Sequence, residues 1–92
     1  MMNATAMRKI TEKARINLGT ETIDHWINEV AYPEMKEQAE LGFSNCQVSH
    51  FPPFSNAEIS KQLCKYAGEI FHKNGYSYST DREGTAITAV YW

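Results

Sequence analysis

The sequence contains few of the residues that define several common classes of protein. Its 92 residues include two cysteines and three prolines, and no segment reaches the roughly 18 uninterrupted apolar residues of a membrane-spanning helix. Two cysteines are too few for a disulfide framework. The first ten residues also lack the apolar run of a signal peptide, so we expect a cytoplasmic protein that does not associate with membranes.

Signatures of catalysis and metal binding are missing as well. The sequence has no glycine-rich phosphate loop and no nucleophile elbow. The spacings from Cys46 to His50 and from Cys64 to His72 match no compact zinc motif, so we expect both thiols to be buried and inert. His25 lies among acidic residues, which a solvated helix face explains without catalysis. We therefore expect no enzymatic activity, no metal and no cofactor.

The charge is distributed unevenly along what we expect to be one small domain spanning residues 1–92. Residues 1–19 contain four basic residues against one acid, whereas residues 20–41 contain six acids against one lysine, although the formal net charge is only -2. A solvated helix face would explain this asymmetry. The basic residues are also a candidate nucleic-acid contact, made of Arg8, Lys9, Lys13 and Arg15.

The first half of the chain is predicted to be helical. Residues 4–18 favour helix, Asn3 or Thr5 can cap it, and apolar side chains recur every three or four residues at Met7, Ile10, Ala14 and Leu18. Gly19 weakens this pattern and Pro33 interrupts it, while Gly42 is a plausible helix stop. These features are compatible with one bent helix or with several shorter helices.

A second amphipathic helix is predicted between Ser55 and Gly75. Ser55 and Glu58 fit a capping box, in which each side chain bonds the backbone N–H of the other residue. The apolar stripe then recurs at Ile59, Leu63, Tyr66, Ala67, Ile70 and Phe71, and Gly75 supplies the left-handed conformation that ends a helix.

Three strands are predicted around this second helix. Residues 43–50 alternate between apolar and polar side chains, residues 76–80 alternate in the same way, and residues 85–92 are rich in strand-forming residues after a turn at 81–84. The predicted class is α+β: N-terminal helical segments are followed by a β-α-β-β unit. With a right-handed crossover between the first two strands, its small three-stranded mixed sheet packs against the helices.

Large aromatic rings exceed what so small a sheet needs for its core. Tyrosine and tryptophan are enriched at binding hot spots, and an unpaired sheet edge can pair with a second chain. We therefore expect a protein partner and a homo-oligomer. The candidate interface comprises Phe51, Phe54, Tyr76, Tyr78, Tyr91 and Trp92.

The order of these elements resembles that of small uncharacterised proteins encoded by tailed bacteriophages. The resemblance covers residues 20 to 92. It comprises a helical first half ending in Ala39 and Gly42, a short strand, a second helix ending in Gly75-Tyr76 and a last strand closing on Trp92. It implies a non-enzymatic accessory protein of the anti-defence or host-takeover type, which binds and inhibits a host protein or sequesters a ligand in the host cytoplasm. The alternatives are a small RNA- or DNA-binding module that uses the basic N-terminal helix, and a virion structural or decoration protein.

Overall fold

A computed structural model describes residues 3–92 of the chain and confirms the predicted α+β class. The predicted domain boundary at residue 1 lies outside the described residues. In chain order the elements are α1 (Ala4–Trp26), a π-helical turn (Ile27–Ala31), α2 (Tyr32–Glu40), β1 (Asn45–Gln47), α3 (Ala57–Lys73), β2 (Ser77–Thr80) and β3 (Ile87–Tyr91).

The first half is one continuous helix, which decides between the two predicted alternatives. It begins at an Asn3 cap, whose side chain accepts a hydrogen bond of 2.9 Å from the Ala6 N–H. The π-helical turn ends two residues before Pro33, and the Tyr32 N–H donates to the Ile27 carbonyl five residues earlier. A proline normally clashes with the carbonyl four residues before it, and a turn widened by one residue relieves that clash without ending the helix.

Helix α3 begins one residue later than predicted. Its N-cap is Asn56, whose Oδ1 accepts a hydrogen bond of 2.9 Å from the Ile59 N–H, so the predicted capping box centred on Ser55 is wrong. Serine and asparagine cap helices about equally well, and here the two residues are adjacent. The predicted end is confirmed: the Gly75 N–H donates to the His72 carbonyl and the Tyr76 N–H to the Phe71 carbonyl, which is a Schellman motif.

The sheet is antiparallel throughout, so the predicted mixed sheet is wrong. Its strand order is β1-β3-β2, and β3 forms antiparallel ladders with both neighbours. The hairpin at residues 81–84 places β3 beside β2, and β1 then pairs with the free edge of β3 rather than with β2. The first two strands are therefore parallel to each other but are not neighbours. Strand β1 is also shorter than the predicted strand at residues 43–50.

The core lies between the helices and one face of the sheet. Cys46, Val90 and Ile87 are buried on the strands, and they belong to one cluster with Leu63 and Phe71 of α3. On the other face of the sheet, Asn45, Ser77 and Tyr91 pair across the strands and are exposed. The second half of α1 packs on α3, whereas its first half extends away and gives the molecule a length of 60 Å.

A candidate binding groove

An open apolar groove lies where α2, the end of α3 and the end of β3 meet. Its volume is about 870 Å³. The residues that line it come from three separate parts of the chain, and most of the lining surface is apolar. They are Asn28, Tyr32, Pro33, Met35, Lys36, Ala39, Asn74, Gly75, Tyr76 and Trp92.

Three aromatic rings form the wall of this groove, and each is positioned by a local feature of the backbone. Tyr76 follows the Schellman turn at the end of α3, and Tyr32 follows the π-helical turn. Trp92 follows β3, where its backbone N–H donates to the Ser44 carbonyl at 2.9 Å. The rings of Tyr76 and Trp92 are perpendicular with centroids 6.3 Å apart, and those of Tyr32 and Tyr76 are 6.5 Å apart.

The wall is uncharged in the physiological range. Burial raises the pKa of Tyr32 above its usual value, and the nearby Tyr76 hydroxyl raises it further. The Tyr32 phenol therefore stays protonated and remains a hydrogen-bond donor. Lys36 contributes a positive charge at the rim, where its ammonium group lies 3.9 Å from the Glu40 carboxylate. The groove thus combines aromatic faces with a few polar groups, which is the usual composition of a binding site.

Only two of the six predicted interface residues, Tyr76 and Trp92, line this groove. The two phenylalanines of the prediction extend the core instead. The ring of Phe51 packs edge-on against that of Trp26 with centroids 5.0 Å apart, and the ring of Phe54 packs against that of Phe51 with centroids 6.4 Å apart. Edge-to-face contacts connect these rings to the groove through Phe71, because Phe71 touches Trp26, Tyr32 and Tyr76. The groove wall is therefore continuous with the core.

The remaining two predicted rings lie on the sheet, away from the groove. Tyr78 is on the inner face, where its ring lies against the backbone of Gly68 on α3. Tyr91 is on the outer face, and its hydroxyl accepts a hydrogen bond of 3.1 Å from Ser79. Sequence reasoning missed Tyr32, Pro33 and Met35, although the Tyr32-Pro33 pair in a helical segment was a local signal of unusual backbone.

The predicted basic residues lie on the exposed first half of α1. At about 100° per residue, Arg8 and Arg15 fall on one side of the helix, and Lys9 and Lys13 fall on another. Arg15 lines a second, smaller cleft of about 260 Å³ together with Leu18, Thr22 and Phe54. Along the helix axis, Arg15 is roughly 20 Å from Asn28 in the main groove. The structure therefore does not bring the basic residues together with Tyr76 and Trp92.

Both cysteines are buried free thiols, as predicted. Burial raises the pKa of Cys64 to about 11, and burial followed by the charges of Glu34 and Glu37 raises the pKa of Cys46. Neither thiol is therefore poised as a nucleophile or a metal ligand. Across residues 3–92, no three His, Cys, Asp or Glu side chains are arranged to hold a metal ion.

One polar cluster resembles a catalytic arrangement but has the wrong direction of proton donation. The Ser49 hydroxyl donates to the Glu34 carboxylate at 2.7 Å and lies 2.8 Å from Nδ1 of His50. A serine nucleophile would instead donate its proton to the histidine. The Ser49 carbonyl also accepts a hydrogen bond of 2.8 Å from the Trp26 indole N–H. Ser49 thus fastens the segment after β1 to the helical half of the chain.

The acidic residues around His25 include one that makes a structural contact. Asp24 accepts a hydrogen bond of 2.8 Å from the Tyr66 hydroxyl, which ties α1 to α3. This bond is the main cause of a raised pKa at Tyr66, with smaller contributions from burial and from the Asp24 charge.

The chain matches no protein-family model, no curated protein and no solved structure. Among residues 3–92, no helix is both long enough and apolar enough to cross a membrane. The α+β fold and the geometry of the groove are the features that bear on function.

Proposed function

We propose that the protein is a non-enzymatic interaction module that binds a partner protein through the aromatic groove. The observation that supports this proposal is the perpendicular pair formed by Tyr76 and Trp92 in the wall of a groove of about 870 Å³. Tryptophan and tyrosine provide large contact areas at little entropic cost, and they dominate binding hot spots. Trp92 is 40% exposed in the free protein, so part of its ring is available to a partner.

The chemistry of the groove favours a mainly apolar segment of protein as the occupant. Tyr32 supplies a phenol donor and Asn28 a side-chain amide, while Met35 and Pro33 supply apolar contacts. The apolar groups would contact an apolar side chain of an extended segment, and the phenol and the amide would hydrogen-bond one or two of its peptide groups. The resemblance to bacteriophage accessory proteins would make the partner a host protein. A sequestered small ligand is the competing occupant, because the volume lies within the range of small-molecule sites, roughly 300 to 1,000 Å³.

The proposal is tested by selecting peptides from a random display library against the intact protein, with the Trp92→Ala variant as the counter-target. Tyr91→Ala is the matched control, because Tyr91 is the neighbouring aromatic residue and is 41% exposed, but it faces the outer surface of the sheet. We expect selected peptides to bind the protein and the Tyr91→Ala variant equally, and to lose at least about tenfold in affinity for Trp92→Ala.

Titration of a selected peptide should also shift the NMR signal of the Trp92 indole N–H. Peptides that bind Trp92→Ala as well as they bind the parent protein would contradict the groove as the binding site. If no peptide is selected but a small-molecule fragment shifts the same signal, the groove is a ligand site instead.

A further inference from the structure

Strand β2 forms an open edge of the sheet. In the strand order β1-β3-β2 its one neighbour is β3, whereas β1 at the opposite edge also contacts α2. Helix α3 covers the inner face of β2, where the Tyr78 ring lies against Gly68. The strand residues Ser77–Thr80 include no charge and no proline, although natural edge strands usually carry one or the other to prevent pairing with another chain. This edge is therefore a candidate docking surface.

The hydrogen bonds of β3 show which backbone groups of β2 face the open edge. The Trp92 N–H donates to the Ser44 carbonyl at 2.9 Å, so Trp92 turns its backbone towards β1. Tyr91 precedes it and turns its backbone towards β2, where it stands opposite Ser77. Backbone groups point to alternate sides along a strand. The N–H and C=O of Tyr78, the residue after Ser77, therefore point away from β3.

Thr80 repeats this arrangement at the other end of β2. The β2–β3 register shifts by one residue after Ser79, but the Asp81 N–H donates to the Ala86 carbonyl at 3.0 Å. Asp81 therefore faces β3 again, and the backbone of Thr80 faces the open edge. Within residues 3–92, the N–H and C=O groups of Tyr78 and Thr80 have no hydrogen-bond partner. A strand added antiparallel to β2 would pair with all four of these groups.

The side of α3 next to this edge is basic. At about 100° per residue, the buried core residues Cys64 and Phe71 lie to one side of Gly68, and three exposed residues lie within roughly 60° on its other side. These three are Lys61, Lys65 and His72. Neither lysine forms an ion pair with a described residue. The nearest acids on the helix, Glu58 and Glu69, lie roughly 80° to 100° from Gly68, further towards solvent.

We propose that the open edge of β2 binds an acidic, extended segment of a partner protein as a fourth strand of the sheet. The backbone of the segment pairs with Tyr78 and Thr80. Its inward side chains lie between the Tyr78 ring and α3, where Asp or Glu residues pair with Lys61 and Lys65. A second copy of the chain fits less well, because twofold pairing of two β2 strands would bring the two basic sides of α3 together.

This edge is a different surface from the groove of the proposed function. Trp92→Ala alters the groove and leaves the backbone of β2 in place, whereas a substitution at Thr80 alters the edge and leaves the residues that line the groove unchanged. Binding at the two surfaces is therefore separable, and failure of one proposal leaves the other standing.

The first test is amide hydrogen exchange, followed by NMR on the free protein. We expect the Ser77 and Ser79 amides, which face β3, to be protected, and the Tyr78 and Thr80 amides to exchange rapidly. Protection of all four amides in dilute protein would show that the edge is already covered. Protection of Tyr78 and Thr80 that appears only as the protein concentration rises would identify a second copy as the occupant. Either result would overturn the proposal.

The second test selects decapeptides from a random display library. We expect Asp or Glu at alternate positions of the selected peptides, protection of the Tyr78 and Thr80 amides when a peptide binds, and weaker binding as salt screens the charges. Lys65→Glu should lower the affinity at least about tenfold, because it places like charges together. Lys13→Glu makes the same charge change on the exposed first half of α1 and is the matched control.

Thr80→Pro tests the backbone pairing directly. Proline removes the outward N–H without removing a bond to β3, as edge strands tolerate, and the Ser77 and Ser79 amides should stay protected. We expect peptide affinity to fall about three- to tenfold, the usual worth of one neutral hydrogen bond. Selected peptides that lack acidic residues, or that bind Lys65→Glu and Thr80→Pro as well as the parent protein, would overturn the proposal. So would a library that yields no binder, or only peptides that lose affinity for Trp92→Ala; the latter would leave the groove function standing.

Discussion

Gly19 of α1 lies directly against the side chain of Leu63 on α3. A Cβ atom at position 19 would overlap Cδ1 of Leu63 and would stand 3.1 Å from its Cδ2. Leu63 is almost completely buried, so it has no free space into which to move. The glycine that weakens the helical pattern of the sequence is therefore the residue that lets the two long helices approach each other.

Gly19→Ala should destabilise the protein even though alanine is the better helix former. The gain in helix propensity is at most about 1 kcal/mol, whereas forcing a methyl group into a packed contact costs about 1 to 3 kcal/mol. We expect a net loss of about 1 kcal/mol in the free energy of unfolding, measured by urea denaturation.

The effect of Gly19→Ala on the free energy of unfolding should change sign when the Leu63 side chain is removed. Leu63→Ala alone should cost about 2 to 5 kcal/mol because it leaves a cavity. In that background, Gly19→Ala should be neutral or stabilising, since the overlap is gone and the propensity gain remains. Additive effects of the two substitutions would show that this contact does not set the approach of the helices.

The N-terminus of α3 depends on Asn56 rather than on its neighbour Ser55. Asn56→Ala should cost about 1 kcal/mol, because the Ile59 N–H loses the Oδ1 acceptor that stands 2.9 Å away. Ser55→Ala is the matched control and should leave the melting temperature nearly unchanged. The opposite ranking of the two variants would restore Ser55 as the cap.

The helix ends are determined by local sequence, whereas the strand order is not. The helix ends at Gly42 and Gly75 were predictable, because both glycines adopt the left-handed conformation in Schellman turns. The strand order was not, because the pairing of Cys46 with Val90 joins residues that are far apart in the sequence. No local pattern distinguishes that partner from one on β2.

The candidate groove was only half predictable for the same reason. Tyr76 and Trp92 stand out in the sequence as strand-flanking aromatic residues, but Tyr32 lies in a helix and joins them only through the tertiary fold. The π-helical turn before Pro33 also sets the direction of Tyr32, and helix periodicity does not reveal a one-residue widening. Phe51 and Phe54 carry the same sequence signal as Trp92, yet they pack with Trp26.

The β2–β3 hairpin should make the stability of the protein dependent on pH through Asp81. Hydrogen bonds from the Thr85 hydroxyl at 2.6 Å and from the Thr85 backbone N–H at 2.7 Å lower the pKa of the Asp81 carboxyl below its usual value. A lowered pKa in the folded state means that the contribution to stability is present above the unfolded value of about 3.9 and is lost as the pH falls through the folded value.

Asp81→Asn should therefore lower the melting temperature at pH 7, and the difference from the parent protein should shrink as the pH falls below about 4. The control is Glu83→Gln, which removes a charge from the same hairpin without removing those hydrogen bonds. A difference that stays constant between pH 7 and pH 2 would contradict this role of the carboxylate.

The Cys64 thiol should be protected from alkylation as long as the protein is folded. Its pKa is raised to about 11, mainly by burial and to a smaller extent by the charge of Asp81. At pH 8.5 roughly half of an unfolded thiol is ionised, so a folded pKa near 11 lowers the thiolate fraction by about 100-fold.

A Cys46→Ala variant isolates this thiol, and the rate of its reaction with iodoacetamide at pH 8.5 can be compared before and after denaturation in urea. Because the neutral thiol is favoured in the folded state, its contribution to stability is complete below the unfolded pKa of about 8.5 and is lost as the pH rises towards 11. The free energy of unfolding should accordingly fall between pH 8.5 and 11, and Cys64→Ala should abolish that part of the decline. Rapid alkylation of the folded protein would mean that α3 separates from the sheet often enough to expose its buried face, since Cys64 lies on that face.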